Sequence, residues 1–111
     1  MPNERIKLYL KQILDAITKI EISTVGLTRQ TYEDHEIKWV VERGIEIIGE
    51  ALNRIKTSDP ALMITNSQKI IATRNKIAHE YDIVDPEILF SIVTIHLPVL
   101  KDEIQKLVEK E

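Results

Sequence analysis

Across residues 5–22, Ile6, Tyr9, Leu10, Ile13, Ile17 and Ile20 recur every three or four positions with polar residues between them, which is the stripe of an amphipathic helix. The stripe predicts a first helix ending near Gly26. Residues 27–34 are polar and aperiodic. Ile37, Val40, Val41, Gly44, Ile45, Ile48, Ala51, Leu52 and Ile55 then restart the helical spacing and predict a second helix. Gly44 and Gly49 lie inside that helix at a cost in propensity, which marks each as a place of close helix contact. Thr57-Ser58-Asp59-Pro60 is a turn cluster. Thr65-Asn66-Ser67-Gln68 has the T-x-x-Q spacing of a capping box and predicts a third helix running toward His79. Glu80 to Val84 lacks a stripe, and Asp85-Pro86 supplies an N-cap followed by an N1 proline for a fourth helix. There Leu89, Ile92, Val93, His96, Leu97, Leu100, Ile104, Leu107 and Val108 keep one face apolar, and Pro98 predicts a kink near Thr94 to His96.

Four helices joined by short loops predict an all-α, antiparallel, up-and-down four-helix bundle filling residues 1–111 as a single domain. The surplus of Ile and Val favours strands by propensity alone, but three-to-four spacing over long windows outweighs it. No internal repeat, low-complexity tract or interdomain linker interrupts the chain. Long apolar stripes in a chain of this size leave one face for a homodimer.

Composition narrows the function. Aromatics are 5% of the 111 residues, too few for a platform of stacking rings under single-stranded nucleic acid. The absence of cysteine rules out disulfides, thiolate metal sites and cysteine nucleophiles, and suits a reducing compartment. Fifteen basic and eighteen acidic residues give a formal charge of −3, so any contact with RNA or DNA must be local. No apolar h-region follows Met1-Pro2-Asn3-Glu4-Arg5, and no run of apolar residues is long enough to span a bilayer, so a cytoplasmic protein without a membrane partner is expected.

The stretch richest in chemistry is Arg74-Asn75-Lys76-Ile77-Ala78-His79-Glu80-Tyr81, which packs a permanent cation, an amide, an imidazole titrating near neutrality and a phenol into eight residues. On an ideal helix Asn75 and His79 share a face, whereas Arg74 and His79 stand about 140° apart. Either the helix unwinds at His79 or a second copy of the chain completes the site. Lys69, Arg74 and Lys76 meet no acid between Asn66 and His79, which makes this helix the one local basic surface for phosphate. A histidine beside it suits metal-independent RNA cleavage: the imidazole takes the 2′-hydroxyl proton and Arg74 stabilises charge developing on the phosphate. The same residues also admit a structural reading, with Lys76 and His79 complementing the helix dipole, Arg74 in a surface ion pair and Tyr81 packed on the next helix.

Arg74-x4-His79-x-Tyr81, opened as Arg-Asn at the end of the third helix, resembles the signature of HEPN domains, in particular the HepT-like (DUF86) toxin branch. Residues 4–20, the stretch Glu46-Ile47-Ile48-Gly49-Glu50-Ala51, and Ile92-Val93 to Leu97-Pro98-x-Leu100-Lys101 resemble that family in order and spacing, so the likeness covers nearly the whole chain. It implies a homodimeric helical bundle with the active cleft between protomers, and a metal-independent endoribonuclease without a cofactor. It also implies a partner, a minimal nucleotidyltransferase antitoxin that silences the toxin by AMPylation of the motif tyrosine. By matching position, Arg74 and His79 would be catalytic, Asn75 would position the site and Tyr81 would be the AMP acceptor, while the local positive charge separately assigns Lys69 and Lys76 to RNA. An AMP on Tyr81 would set a negative phosphate and a bulky base where the substrate phosphate belongs. The chain departs from many relatives at Asn66-Ser67, where they have Pro-Trp, at Thr73, where they have Gly, and at Asp82-Ile83, where they have an aromatic-glycine pair. A non-catalytic HEPN subunit that holds a nucleotide or docks a nucleotidyltransferase is the alternative.

Other residues carry weaker signals. His35-Glu36-Ile37-Lys38-Trp39 begins like a zinc-protease H-E-x-x-H, but Trp39 stands where the second histidine must be. Trp39 is then expected as a core anchor and His35 as an exposed loop or helix-start residue, with bordering the cleft as the alternative. Glu42, Glu46 and Glu50 form an i, i+4, i+8 row without the histidines of a carboxylate-bridged metal site, and read as a solvated or ion-paired face. His96, on the apolar face near Pro98, reads as a hydrogen-bonded core histidine.

Overall fold

In the computed structural model, residues 4–26, 28, 35–65, 67–79 and 85–109 are described, and the side chains of His35 and His79 lie outside that description. The apolar stripes become helices α1 (Glu4–Thr24), α2 (His35–Ser58), α3 (Ser67–His79), α4 (Pro86–Ser91) and α5 (Leu97–Glu109), with a π-helical turn over Ile92–His96 between the last two. Among the described residues there is no strand.

The helices form an antiparallel bundle around α2. Gly44 of α2 faces Ile20 near the end of α1, while Arg54, later in α2, meets Tyr9 near the start of α1. The same opposition relates α2 to α3, where Gly49 meets Arg74 and the later Leu52 and Ile55 share a cavity with the earlier Ser67 and Gln68, and relates α1 to α5, where Lys101 Nζ donates to Glu21 at 3.0 Å. The core is drawn from one stripe per helix. Ile6, Leu10, Ile13, Ile17 and Ile20 of α1 meet Val41, Ile45, Ile48, Leu52 and Ile55 of α2, with Ile70 and Ile77 from α3 and Leu89, Ile92, Leu97, Leu100 and Ile104 from the C-terminal rod. Each fully buried Leu or Ile contributes roughly 1.5–3 kcal/mol relative to exposure.

The termini follow local chemistry. Gly26, two residues past α1, adopts φ 74°, the left-handed conformation that closes a helix C-terminus. Asp85 caps α4: its Oδ1 accepts from the Glu87 N–H at 2.9 Å, and Pro86 occupies the first turn, where no N–H is needed. The kink expected from Pro98 takes the form of the π turn, in which Leu97 N–H reaches back to the Ile92 carbonyl. Thr94 Oγ1 donates to the Phe90 carbonyl at 2.7 Å within the same stretch, a back-bond that favours bending.

Three expectations are corrected. Trp39 is 64% exposed and not a core anchor. The buried stripe of α2 runs through Val41, Ile45, Ile48, Leu52 and Ile55, and Trp39 lies about 200° around the helix from Val41. Thr65 does not cap α3 as the box pattern suggested, since its N–H and hydroxyl both donate to Glu103, the N–H at 3.0 Å, tying the turn to α5. His96 is half-buried and its side chain makes no hydrogen bond to another described residue. Burial, and secondarily the charge of Lys69 across from it on α3, lower its pKa from the usual 6.5.

Candidate active site

The two glycines of α2 decide how closely its neighbours approach. A Cβ on Gly49 would stand 2.5 Å from the Arg74 Cβ and 2.8 Å from its Cγ, so the arginine stem lies directly on the glycine backbone. This contact brings α3 against α2 and points Arg74 into a groove of about 490 Å³ shared by the first three helices. Gln12, Asp15 and Lys19 of α1 form one wall, Arg43, Glu46, Glu50 and Arg54 of α2 the floor, and Arg74 and Ala78 of α3 the other wall. The volume lies in the range of small-molecule sites.

Arg74 is held at both terminal nitrogens. Its Nη2 donates to Glu50 Oε2 at 2.5 Å and its Nη1 to Asn75 Oδ1 at 2.9 Å. The side chain remains 29% exposed, and a guanidinium has five N–H donors, so donors are left for a ligand in the groove. Glu50 serves a second arginine through its other oxygen, accepting from Arg54 Nε at 3.0 Å. Glu50 first, then Tyr9, keep the Arg54 guanidinium more firmly protonated, and that guanidinium stands 6.0 Å over the Tyr9 ring. Arg43 pairs with Glu46 at 3.3 Å and Lys19 with Asp15 at 3.1 Å. The groove thus presents four basic and three acidic side chains, one net positive charge in a chain of net charge −3.

The expected site residues fall into separate places. Arg74 lines the groove and Asn75, exposed, braces it. His79 is the last residue of α3, so the backbone remains helical from Arg74 to His79 and the two positions stay about 140° apart. On that backbone His79 stands one turn beyond Asn75, on the same face. Tyr81, with the rest of 80–84, lies outside the described residues. Lys69 and Lys76 do not join Arg74. They line a second groove of about 430 Å³ on the other side of α3, with Thr73 between them and Asp85, Glu87 and Ser91 opposite. Thr73 is buried there, its hydroxyl donating to the Lys69 carbonyl at 3.0 Å. The basic surface of α3 is therefore divided between two faces.

Glu50, expected within a solvated or ion-paired row, and Arg54, which no motif marks, are the groove residues that hold or flank Arg74. Their i, i+4 spacing signalled an ion pair in the sequence, and Glu46 and Glu50 are indeed ion-paired, but the bond from Glu50 to Arg74 crosses between helices. Among the described residues, no group of three or more His, Asp or Glu side chains is placed to hold a metal ion. No described helix is long and apolar enough to cross a membrane.

An all-helical bundle whose third helix delivers the arginine of an Arg-x4-His motif into a polar groove is the architecture of a HEPN-type domain. Residues 13–107 match the family described as ribonuclease HepT-like, and the chain belongs to that family. Two proteins of Methanocaldococcus jannaschii, named as candidate RNases MJ1216 and MJ0125, are each 27% identical to it over 98% of this chain and 92% and 96% of their own lengths. A Thermococcus cleftensis protein named as a probable ribonuclease HepT is 33% identical over 89% of this chain and 92% of its own. No solved structure matches the chain significantly.

Proposed function

We propose that this chain is a metal-independent endoribonuclease, the toxin of a toxin-antitoxin pair in which a minimal nucleotidyltransferase silences it by attaching AMP to Tyr81. The observation that carries the reading is Arg74, fixed by Glu50 and Asn75 inside a nucleotide-sized groove in a member of a ribonuclease family. In this mechanism His79 accepts the proton of a 2′-hydroxyl, and the 2′-oxygen attacks the adjacent phosphorus. The 5′-oxygen of the next nucleotide leaves with a proton from water. Arg74 donates to the phosphate oxygens as negative charge accumulates there, and positioned proton transfer adds roughly 10²–10⁴-fold. Because Arg74 and His79 diverge on one helix, a homodimer with the cleft between protomers brings the two groups to one phosphate. Lys69 and Lys76, on the other face of α3, are assigned to phosphates farther along the RNA.

The test is incubation of the purified chain with total cellular RNA in EDTA, comparing wild type with Arg74→Ala and His79→Ala of matched helical content. Cleavage by wild type alone is expected. Equal cleavage by all three would overturn the assignment. Intact RNA in every case, together with nucleotide binding, would make the chain a non-catalytic HEPN subunit. For the control step, transfer of AMP by a nucleotidyltransferase to wild type but not to Tyr81→Phe is expected, with loss of cleavage in the modified protein.

A further inference from the structure

The groove contains a carboxylate that the cleavage chemistry does not use. Glu50 stands between two arginines, accepting from Arg54 Nε at 3.0 Å and from Arg74 Nη2 at 2.5 Å, and its side chain is 39% exposed. An anion at this position repels the phosphate that Arg74 must bind, and it reduces the groove to a single net positive charge. Such an arrangement weakens substrate binding, so its benefit must lie elsewhere. An arginine side chain is long and rich in rotamers, and ordering it in the transition state is costly. Glu50 and Asn75 take one terminal nitrogen each, which fixes both the position and the plane of the Arg74 guanidinium before substrate arrives. The stem cannot drift, because it rests on Gly49.

We infer that Glu50 is a positioning residue that holds Arg74 oriented for the cleavage step at the expense of RNA affinity. The inference rests on the ribonuclease reading and goes beyond it by assigning binding and chemistry opposite responses to one side chain. Loss of the carboxylate raises the groove from one to two net positive charges while releasing both arginines.

The experiment compares wild type, Glu50→Gln and Glu50→Ala in two measurements on one RNA at fixed salt: dissociation constants in a His79→Ala background, and single-turnover cleavage rates at saturating RNA. For Glu50→Ala the expected result is binding tighter by roughly 3–10-fold and cleavage slower by roughly 10–100-fold, the scale of a lost hydrogen bond to a charged group. Glu50→Gln keeps one acceptor oxygen and is expected between the two. An unchanged cleavage rate, or binding and cleavage weakening together as in a merely structural role, would overturn the inference while leaving an active wild type and the ribonuclease reading in place. A wild type that leaves RNA intact, or an Arg74→Ala variant that cuts as fast as wild type, overturns the ribonuclease reading and this inference with it.

Discussion

Replacing Gly49 or Gly44 by alanine puts the same methyl group at two buried positions of α2, five residues and about 140° apart, one facing α3 and the other α1, and the structure gives the two changes different outcomes. Each gains up to about 1 kcal/mol of helix propensity. At Gly44 the new Cβ meets the Ile20 side chain, Cδ1 at 2.4 Å and Cγ1 at 2.6 Å. Cδ1 can swing about χ2 while Cγ1 moves only with the stiff χ1 of a β-branched residue, an off-rotamer shift of about 0.5–1.5 kcal/mol, so Gly44→Ala should fall within about 1 kcal/mol of wild type. At Gly49 the obstacle is the Arg74 Cβ at 2.5 Å, with the Ile70 carbonyl at 3.5 Å behind it. A Cβ does not swing away, so α3 itself must retreat by about 0.9 Å to restore an ordinary 3.4 Å contact. Overpacking of this kind costs about 1–3 kcal/mol, leaving a net loss of up to about 2 kcal/mol, or roughly 4 °C in Tm per kcal/mol for a chain of this size. The retreat also carries the Arg74 guanidinium away from Glu50, and a misplacement near 1 Å costs about 10²-fold in rate. Urea unfolding with RNA cleavage on the folded proteins separates the two effects. A Gly49→Ala protein as stable and as active as wild type, or a Gly44→Ala protein damaged more, would refute the reasoning.

Two further predictions follow from local geometry. Gly26 holds φ 74° with nothing within 4 Å of a built Cβ, so Gly26→Ala should cost about 1 kcal/mol through backbone strain alone, with Gly26→Asn costing less, both read from urea midpoints. His96 has a pKa lowered by burial and then by Lys69, so Lys69→Met should raise its NMR titration midpoint part of the way toward 6.5. In the linkage, the unfolded chain takes up the proton first, so this histidine's contribution to stability is intact above about 6.5 and declines as pH falls toward the folded pKa; a His96→Gln variant should lack that increment of acid sensitivity.

What the sequence disclosed depended on how far apart the interacting residues lie along it. The helices, the Asp85-Pro86 start, the Gly26 stop and the disturbance before Pro98 are set within one or two turns, where periodicity, capping residues and proline are all legible. Gly44 and Gly49 marked close contacts because a mid-helix glycine needs a compensating reason, but the residue on the far side of each contact was invisible. Trp39 is exposed because helical phase, not ring size, sets which side of α2 a residue faces. Its 200° offset from Val41 already put it on the outer face. The division of the basic helix was legible in the same way: Lys69 and Lys76, seven apart, share a face, while Arg74 lies about 140° from Lys69 and 200° from Lys76. The bond between Arg74 and Glu50 was not legible, since its partners are 24 residues apart and meet only through the register of α2 on α3.

If the ribonuclease reading holds, that register explains how an acidic chain would offer Arg74 to a phosphate although the cations of its groove are already paired. With a net charge of −3 the protein has no long-range attraction for RNA, and the cations of the groove are already met by carboxylates. On the proposed function, a phosphate oxygen would take the donors that Glu50 and Asn75 leave open on Arg74. Such a contact would give little affinity to a passing polyanion, because the carboxylate beside each cation repels it. It rewards a phosphate seated at the depth and angle where the unused guanidinium donors point. On that reading, the geometry of one buried glycine and one shared carboxylate, rather than accumulated positive charge, would make Arg74 selective for a phosphate in the groove.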